Sequence, residues 1–221
     1  MLELRDISKK FSKLSKEIEV LNGVKLSLDQ GEFVAVQGPS GCGKTTLLLI
    51  AGGLLNPDRG TIFLDGEDIY LKNSDQRASL RAHNFGFVFQ QYHLIPYLTI
   101  LENILLPSLA LSKHNITTRA FELMEKFGLT ERTNHIPGEL SAGEKQRTSL
   151  ARAMLCNPRI LFADEITGNL DDDNSGIVIN VLREFAKEGG SVLFVTHDHD
   201  MARSADRVMH LVNGKLKWDN V

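Results

Sequence analysis

Two segments near the N-terminus alternate apolar with polar residues. Residues 2–5 and 24–28 show this alternation, which is typical of strands with one buried face. A third apolar segment, residues 62–64, ends at an Asp-Gly pair that favours a tight hairpin turn. Together these patterns predict a small antiparallel β subdomain over about residues 1–32 and 60–70.

Four later segments are continuously apolar, as strands buried on both faces are. They cover residues 33–36, 85–89, 160–163 and 191–195. Helical patterns separate these runs, which favours a mostly parallel sheet. Residues 208–212 and 215–218 flank an Asn-Gly pair and predict a closing hairpin. We expect this core to cover about residues 33–90 and 157–221.

Helix signals dominate the segment between the second and third apolar runs. Thr99 and Glu102 form a capping-box pattern, and later apolar residues repeat at helical spacing before Gly128. The repeating residues are Ala120, Phe121, Leu123, Met124 and Phe127. We expect an inserted α-helical subdomain over about residues 91–156. The chain is therefore predicted to be one α/β domain, residues 1–221, with a mostly parallel core and two smaller subdomains.

Composition restricts the classes of partner. The 221 residues are 42% apolar and carry a formal net charge of −3, which gives no reason to expect a nucleic acid partner. The two cysteines, Cys42 and Cys156, favour reduced thiols over a disulfide framework. The N-terminus lacks the pattern of a secretory signal, and the most apolar stretches are too short or interrupted to span a bilayer. We therefore expect a cytoplasmic chain that reaches a membrane only through a partner.

A glycine-rich segment follows the first continuous apolar run and fits the pattern G-x-x-x-x-G-K-[ST]. Its residues are Gly38, Pro39, Ser40, Gly41, Cys42, Gly43, Lys44 and Thr45. Glycines let backbone N–H groups surround phosphate oxygens, and the following helix N-terminus adds a positive dipole end. We expect Lys44 to reach the β- and γ-phosphates, Thr45 to coordinate Mg²⁺ and Thr46 to contact the α-phosphate. The motif predicts a P-loop NTPase core.

Three other interpretations of this segment are less favoured. A solvated glycine-rich turn would not need the strand and the helix on either side. A dinucleotide fingerprint would need glycine at Thr46, and a nucleophile elbow would need glycine at Cys42. The sequence therefore favours neither a nicotinamide enzyme nor a serine hydrolase.

The apolar run at residues 160–163 ends in two carboxylates, Asp164 and Glu165. Open parallel sheets bind ligands at the carboxyl ends of their strands. We expect Asp164 to hold Mg²⁺ through water and Glu165, which faces another direction, to polarise an attacking water. An acidic strand end facing solvent is the alternative, and the glycine-rich loop upstream makes it less favoured.

Residues 140–144 precede a helical run at 145–156, with Ser141 and Glu144 in the positions of a capping box. A well-capped helix explains this pattern fully, although its N-terminus is also an anion site. Arg147 and Arg152 on this helix are expected to be solvated or to form salt bridges between subdomains. Histidines and aspartates also crowd the segment 196–200, but we expect no metal there because no further ligand cluster is evident.

Six motifs resemble, in order and spacing, those of the ATP-binding cassette (ABC) ATPases, over nearly the whole chain. They are residues 38–45, Gln90, residues 140–144, residues 160–165, residues 168–171 and His197. Residues 89–96, 101–104 and 167–171 resemble the corresponding segments of one subgroup of this family. It comprises the ATPases of bacterial lipoprotein-releasing, macrolide-export, antimicrobial-peptide-resistance and cell-division complexes.

The resemblance implies a head-to-tail homodimer. Each ATP would lie between the glycine-rich loop of one copy and residues 140–144, the signature motif, of the other. Ser141 and Gly143 would then bind the ATP of the second copy, with Glu144 beside them, and Asp171 would shape the dimer seam. ATP-dependent closure of the dimer follows from this arrangement.

The resemblance also implies roles at the chain's own nucleotide. Glu165, His197 and Gln90 would be catalytic, with His197 holding the γ-phosphate and orienting Glu165. Gln90 would report the state of the nucleotide to a membrane partner, and Phe11 would stack on the adenine. The implied Mg²⁺ site consists of Thr45, Gln90 and Asp164.

The implied function is Mg²⁺-dependent ATP hydrolysis coupled to a separate membrane protein, either an integral permease or a mechanotransmission subunit. The work would be export, lipoprotein release or mechanotransmission, and the chain would be peripheral on the inner face of the cell membrane. The alternative is an ATP-gated scaffold or signalling clamp that acts through a membrane protein, as in cell division. A soluble ABC protein of DNA repair or translation is disfavoured by chain length and acidic balance.

Four positions depart from the family's pattern. Ala142 replaces a signature glycine, and Ile166 stands where the family usually has proline after the catalytic glutamate. We expect looser dimer closure from the first and a less restrained Glu165 from the second. Phe11 replaces the commoner tyrosine, and Glu144 stands where many members have glutamine.

Overall fold

The strands of the computed structural model, which describes residues 1–13, 16–111 and 115–218, form two sheets. Within these ranges a four-stranded sheet has the order β2-β1-β4-β5, and a six-stranded sheet has the order β10-β9-β3-β8-β7-β6. The strands are β1 (Leu2–Lys13), β2 (Lys16–Leu28), β3 (Phe33–Gln37), β4 (Arg59–Leu64), β5 (Glu67–Asp68), β6 (Phe85–Phe89), β7 (Ile160–Asp164), β8 (Ser191–Thr196), β9 (Arg207–Val212) and β10 (Lys215–Trp218).

Helices connect these strands. The α-helices are α1 (Lys44–Ala51), α2 (Ser74–Asn84), α3 (Ile100–Leu105), α4 (Ile116–Lys126), α5 (Ala142–Met154), α6 (Asp172–Lys187) and α7 (His199–Ala202). Short 3₁₀ helices cover Ile69–Leu71, Leu106–Ala110, Thr130–Arg132 and Pro137–Glu139. In the ranges that the structure describes, no helix is both long enough and apolar enough to cross a membrane.

The large sheet is mixed but mostly parallel. β3 pairs in parallel with β8 and β9, β7 pairs in parallel with β6 and β8, and β10 is antiparallel to β9. Every residue of β3, β7 and β8 is buried, which explains why these strands are continuously apolar. Phe33 and Ala35 face one hydrophobic cluster and Val34 and Val36 face the other, so the core lies on both sides of this sheet.

All strand pairs of the small sheet are antiparallel, as predicted. The alternating segments at residues 2–5 and 24–28 are the start of β1 and the end of β2. Both strands are much longer than these segments. The pairing of β1 with β2 shifts register three times between Leu4 and Lys10, and Asp6 has a positive φ of 53°. Each irregularity interrupts the alternation of inward and outward side chains, and the sequence pattern therefore does not reveal the middle of the hairpin.

The helical insertion lies between β6 and β7 and contains α3, α4 and α5. Both predicted capping boxes are present, at Thr99 with Glu102 and at Ser141 with Glu144. Gly128 follows α4 with a φ of 63°, the left-handed conformation in which glycine often ends a helix. The α/β fold with an antiparallel β subdomain and an inserted helical subdomain is confirmed. The residue boundaries that we gave for the subdomains stay predictions.

Helix α2 is absent from the sequence-based prediction. None of its residues is buried, so it has no apolar stripe from which a helical period could be read. Its N-terminus nevertheless carries a capping box, in which Asn73 accepts from the Gln76 amide and the Gln76 side chain accepts from the Asn73 amide. That local pattern is the signal by which this helix could have been found.

Candidate functional site

The glycine-rich loop joins the end of β3 to the start of α1 and needs glycine at defined positions. Gly41 and Gly43 have φ values of 78° and 106°, which disfavour residues with a side chain. A Cβ on Gly38 would lie 2.6 Å from the carbonyl oxygen of Leu211, and a Cβ on Gly43 would lie 2.6 Å from Val20 Cγ1. The loop is therefore shaped both by its own backbone and by close packing against neighbouring strands.

Lys44 lies folded under this loop. Its Nζ donates to the carbonyl oxygens of Gly38 at 2.9 Å and Pro39 at 3.0 Å, and it lies 3.1 Å from Glu165 Oε1. The Lys44 side chain is only 3% exposed, so its charge needs these oxygen partners. Of these three partners, only Glu165 lies outside the glycine-rich loop.

Asp164 and Thr45 come together at the carboxyl end of β7. Thr45 Oγ1 donates to Asp164 Oδ1 at 3.1 Å, although the two residues belong to different halves of the chain. Burial raises the pKa of Asp164, and the hydrogen bond from Thr45 only partly opposes this effect. A hydroxyl and a carboxylate oxygen side by side are ligands that Mg²⁺ prefers.

Glu165 follows Asp164 in the left-handed region, with a φ of 48°, and its amide donates to the Val195 carbonyl at 2.9 Å. This conformation turns its side chain away from that of Asp164. Glu165 Oε2 lies 3.1 Å from His197 Nδ1, while Oε1 faces Lys44. The carboxylate therefore bridges a cation on one side and an imidazole on the other.

These residues share one cleft of about 350 Å³. His197 is not among its lining residues but contacts Glu165, which is. Sequence reasoning missed Val20, because it lies in the part of the β1–β2 hairpin where the alternation is interrupted. The lining residues are Phe11, Val20, Ser40, Gly41, Gly43, Lys44, Thr45, Thr46, Gln90, Asp164 and Glu165.

Seven other predicted site residues do not line this cleft. Gly38, Pro39 and Cys42 belong to the glycine-rich loop itself, whereas Ser141, Gly143, Glu144 and Asp171 lie outside it. Ser141 is the N-cap of α5, where its Oγ accepts from the Glu144 amide at 3.2 Å. Asp171 is the N-cap of α6, and hydrogen bonds from Asn174 lower its pKa. The structure therefore groups the predicted residues into the cleft and a separate pair of helix N-termini.

Glu144 closes the turn at the start of α5. One of its oxygens accepts from the Ser141 amide and the other from Arg132 Nε, both at 2.8 Å. These bonds, the one from Arg132 foremost, lower the pKa of Glu144 from 4.5 to about 2. The carboxylate is thus already engaged within its own chain.

Glu144→Gln should lower the free energy of unfolding near neutral pH by up to about 1 kcal/mol, because glutamine can still accept from the Ser141 amide but loses the ionic bond to Arg132. Because folding depresses this pKa, the stabilisation is complete above about pH 4.5 and is lost as pH falls towards about 2. The difference in melting temperature between wild type and variant should therefore shrink in acid. Urea or thermal unfolding across that range tests this, and a constant difference would contradict it.

The two arginines of α5 are half-buried, and within the described residues they bind uncharged oxygens rather than form salt bridges, which corrects our expectation for them in part. Arg147 Nη1 donates to Asn174 Oδ1 at 2.9 Å. Arg152 donates to the carbonyl oxygens of Tyr92 and His93, and burial lowers its pKa. Tyr92 and His93 both have positive φ, so the turn that they form depends on this side chain. Contacts of this kind depend on the tertiary fold and have no signature in the sequence.

Comparison with known proteins agrees with this geometry. The family model described as ABC transporter matches residues 21–168. The chain belongs to the ABC transporter family. It is an ABC ATP-binding cassette, that is, an ATPase domain, and the resemblance read from the six motifs is confirmed.

Relatives of this cassette include proteins named for export. A macrolide export ATP-binding/permease protein, MacB of Chlorobium luteolum, is 43% identical over 220 residues that are 99% of this chain and 33% of the relative. An uncharacterized ABC transporter ATP-binding protein, YvrO of Bacillus subtilis, is 41% identical over 221 residues, 99% of this chain and 96% of the relative. The cassette thus spans about a third of the first protein and nearly all of the second.

Solved structures of the ABC transporter cassette MJ0796 have the same fold. Its dimeric structure matches this cassette with a TM-score of 0.92 and 36% identity, covering 98% of this chain and 96% of that one. A second dimeric structure of MJ0796, in a post-hydrolysis state bound to ADP and Pi, matches with a TM-score of 0.92 and 35% identity.

Proposed function

We propose that this cassette hydrolyses ATP between two copies of itself and thereby moves a separate membrane permease in export. The observation that carries the proposal is the cluster at the carboxyl ends of β7 and β8, where Glu165 bridges Lys44 and His197 beside the Thr45–Asp164 pair. A phosphate-binding lysine, an acidic base and an oxygen donor pair within one cleft are the groups that phosphoryl transfer to water requires.

ATP binding replaces one anion by another at Lys44. The glycine-rich loop and Thr46 would receive the phosphates, and Phe11, which is 42% exposed at the edge of the cleft, would offer its ring to the adenine. When the γ-phosphate engages Lys44, Glu165 is released from that ion pair while it keeps His197. The carboxylate is then available to accept a proton from a water aimed at the γ-phosphate.

Mg²⁺ fits the donor set at this site. Thr45 and Asp164 supply a hydroxyl and a carboxylate oxygen that already lie 3.1 Å apart, and Gln90 adds an amide oxygen from the same cleft. The ion would neutralise charge on the β- and γ-phosphate oxygens. The raised pKa of Asp164 is consistent with a buried carboxylate that lacks a full counter-charge.

The second copy would complete the site. Ser141 and Asp171 lie at the N-termini of α5 and α6 and outside the chain's own cleft, so they are available to a nucleotide bound by another copy. MJ0796 is dimeric in its solved structures, and that likeness supports the same head-to-tail pairing here. An ATP-gated scaffold is not favoured, because relatives that match this chain over nearly its whole length, MacB and the pyoverdine export protein PvdT, are named for export.

We place the membrane partner in an apolar groove of about 310 Å³ between β6 and the helical insertion. Phe89 lies in this groove, and the next residue, Gln90, lies in the ATP cleft, so one strand end joins the two surfaces. Arg152 also lines the groove and holds the turn after Gln90. A permease segment in the groove would place the cassette on the inner, cytoplasmic face of the membrane. The groove is lined by Ala82, Phe85, Gly86, Phe87, Phe89, Pro107, Ala110, Arg152, Ala153 and Cys156.

Ala110→Arg should displace the partner without affecting the nucleotide site. Ala110 is exposed at the groove, so the larger charged side chain fills the groove but needs no room in the core. We expect a tagged cassette isolated from its native membranes to bring a permease with it, and the variant to retain about tenfold less. ATP hydrolysis by the isolated variant should stay within about twofold of wild type.

Ala78→Arg is the matched control, because Ala78 is exposed on α2 and does not line the groove. It should retain the permease. If Ala110→Arg also retains it, docking in the groove is wrong. If wild type brings no membrane protein with it, and neither it nor its membrane extract hydrolyses ATP, the proposed function itself is wrong.

A further inference from the structure

The side chain of Asn174, in the first turn of α6, connects two helix N-termini. Its Oδ1 accepts from Arg147 Nη1 of α5 at 2.9 Å. Its Nδ2 donates to both carboxylate oxygens of Asp171, at 2.8 and 3.0 Å, and its backbone amide donates to Asp171 Oδ1 at 2.8 Å. One amide group therefore bonds the signature helix on one side and the cap of α6 on the other.

Gly143 packs directly against the same amide. A Cβ built on Gly143 would lie 2.8 Å from Asn174 Cγ and closer still to Oδ1. Glycine at this position therefore has a cause within the chain, in addition to any approach to a phosphate. The contact fixes the distance between the first turn of α5 and the first turn of α6.

The chemistry of the contact suits asparagine in particular. A guanidinium needs an acceptor and a carboxylate needs a donor, and the primary amide of asparagine offers these on two separate atoms of one short side chain. Aspartate would place a second carboxylate beside Asp171, and alanine would remove both bonds. Because each bond involves a charged partner, both are stronger than bonds between neutral groups.

We propose that Asn174 is a positioning residue that holds the first turn of α5, which carries the signature motif, and Asp171 in one fixed arrangement. Both can then contact the second copy of the chain at the same time. The inference rests on the proposed head-to-tail dimer. Asn174 itself does not line the ATP cleft of its own chain. Its loss should therefore weaken dimer closure while leaving nucleotide binding by a single copy unchanged.

The test compares two equilibria in the Glu165→Gln background, where hydrolysis does not remove the nucleotide. Sedimentation with saturating ATP gives the dimer dissociation constant, and fluorescent ATP titrated at low protein concentration gives the affinity of one copy. We expect Asn174→Ala to raise the dimer dissociation constant by about tenfold and to change nucleotide affinity by less than about twofold. Asn180→Ala is the matched control, since Asn180 is an exposed asparagine further along α6.

A double-variant cycle tests the packing directly. Gly143→Ala alone should prevent ATP-dependent dimerisation, because the new methyl group meets the Asn174 amide. Adding Asn174→Ala makes room for that methyl, so the double variant should dimerise more tightly than Gly143→Ala alone. Additive losses in this cycle would mean that the two residues do not act through one contact.

Two further outcomes would overturn the proposal. Asn174→Ala could dimerise as tightly as its parent, or it could lose nucleotide affinity and melting temperature in proportion to dimerisation, as a general folding defect would. If the Glu165→Gln parent does not dimerise with ATP, the head-to-tail dimer is wrong and the role of Asn174 falls with it. An intact parent with a selective loss in Asn174→Ala supports the role.

Discussion

Replacing Glu165 by glutamine should reduce phosphate release from Mg²⁺-ATP by at least about 100-fold, the usual contribution of a general base. Glutamine keeps the shape of the side chain but cannot take a proton from water. ATP should still bind, and the bound state should persist as a dimer because the step that reopens it is lost. Phosphate release and light scattering after gel filtration measure the two effects on one preparation.

The structure adds a second consequence of this change. Glu165 Oε1 lies 3.1 Å from Lys44 Nζ, so the carboxylate competes with phosphate for that cation. A neutral amide competes less well, and ATP should therefore bind the variant at least as tightly as it binds wild type. His197 Nδ1 lies 3.1 Å from the other oxygen and can still contact an amide oxygen there.

Glu184→Gln is a matched control for Glu165→Gln. Glu184 is 59% exposed and lies 3.5 Å from Lys126 on the surface, so neither hydrolysis nor dimerisation should change. A Glu165→Gln protein that hydrolyses ATP within about threefold of wild type would remove Glu165 from the role of base. One that stays monomeric with ATP would contradict the proposed pairing.

The parts of the site that follow local rules could be predicted from the sequence. The glycine-rich loop needs particular residues at adjacent positions, because its backbone must adopt positive φ at Gly41 and Gly43. Asp164 and Glu165 follow a continuously buried strand, and parallel strands place such residues at a common edge. Capping at Ser141 is equally local, since Glu144 closes it three residues later.

Other parts of the site depend on contacts that no local pattern reports. Arg147 and Asn174 are separated by 27 positions, and nothing at either residue indicates the other. Arg152 is bound to carbonyl oxygens 59 and 60 positions away, and we expected it to be solvated or salt-bridged. The sequence does not distinguish an arginine that is solvated or salt-bridged from one that is bound to backbone carbonyl oxygens. The dimer was likewise implied by resemblance to a family and by no residue on its own.

The two carboxylates at the end of β7 differ in burial, which the sequence does not show: Asp164 is buried, whereas the side chain of Glu165 is 18% exposed. The pKa of Asp164 is raised, with burial as the main cause. Glu165 lies within 3.1 Å of Lys44. The ionised form of Asp164 is therefore disfavoured in the fold and would become favourable when a cation binds.

Asp164→Asn should reduce Mg²⁺-dependent ATP hydrolysis by at least about 100-fold. The same variant should raise the melting temperature of the nucleotide-free protein. A raised pKa means that the folded state binds a proton more readily than the unfolded state, so ionised Asp164 costs stability above both values. Asparagine removes that cost and can still accept from Thr45. A gain of about 1 kcal/mol would raise the melting temperature by about 2–4 °C in a domain of this size.

The sign of this effect separates Asp164 from an ordinary paired carboxylate. The gain should be largest at neutral and alkaline pH and shrink in acid, where wild-type Asp164 also becomes neutral. Asp65→Asn is the control, and it should lower the melting temperature at neutral pH instead of raising it, because a hydrogen bond from Arg159 lowers the pKa of Asp65. Mg²⁺-ATP should stabilise wild type more than Asp164→Asn, since only the carboxylate meets the cation with a charge. If Asp164→Asn without nucleotide melts below wild type, ionised Asp164 stabilises the fold. Its burial beside Thr45 would then not indicate a metal site.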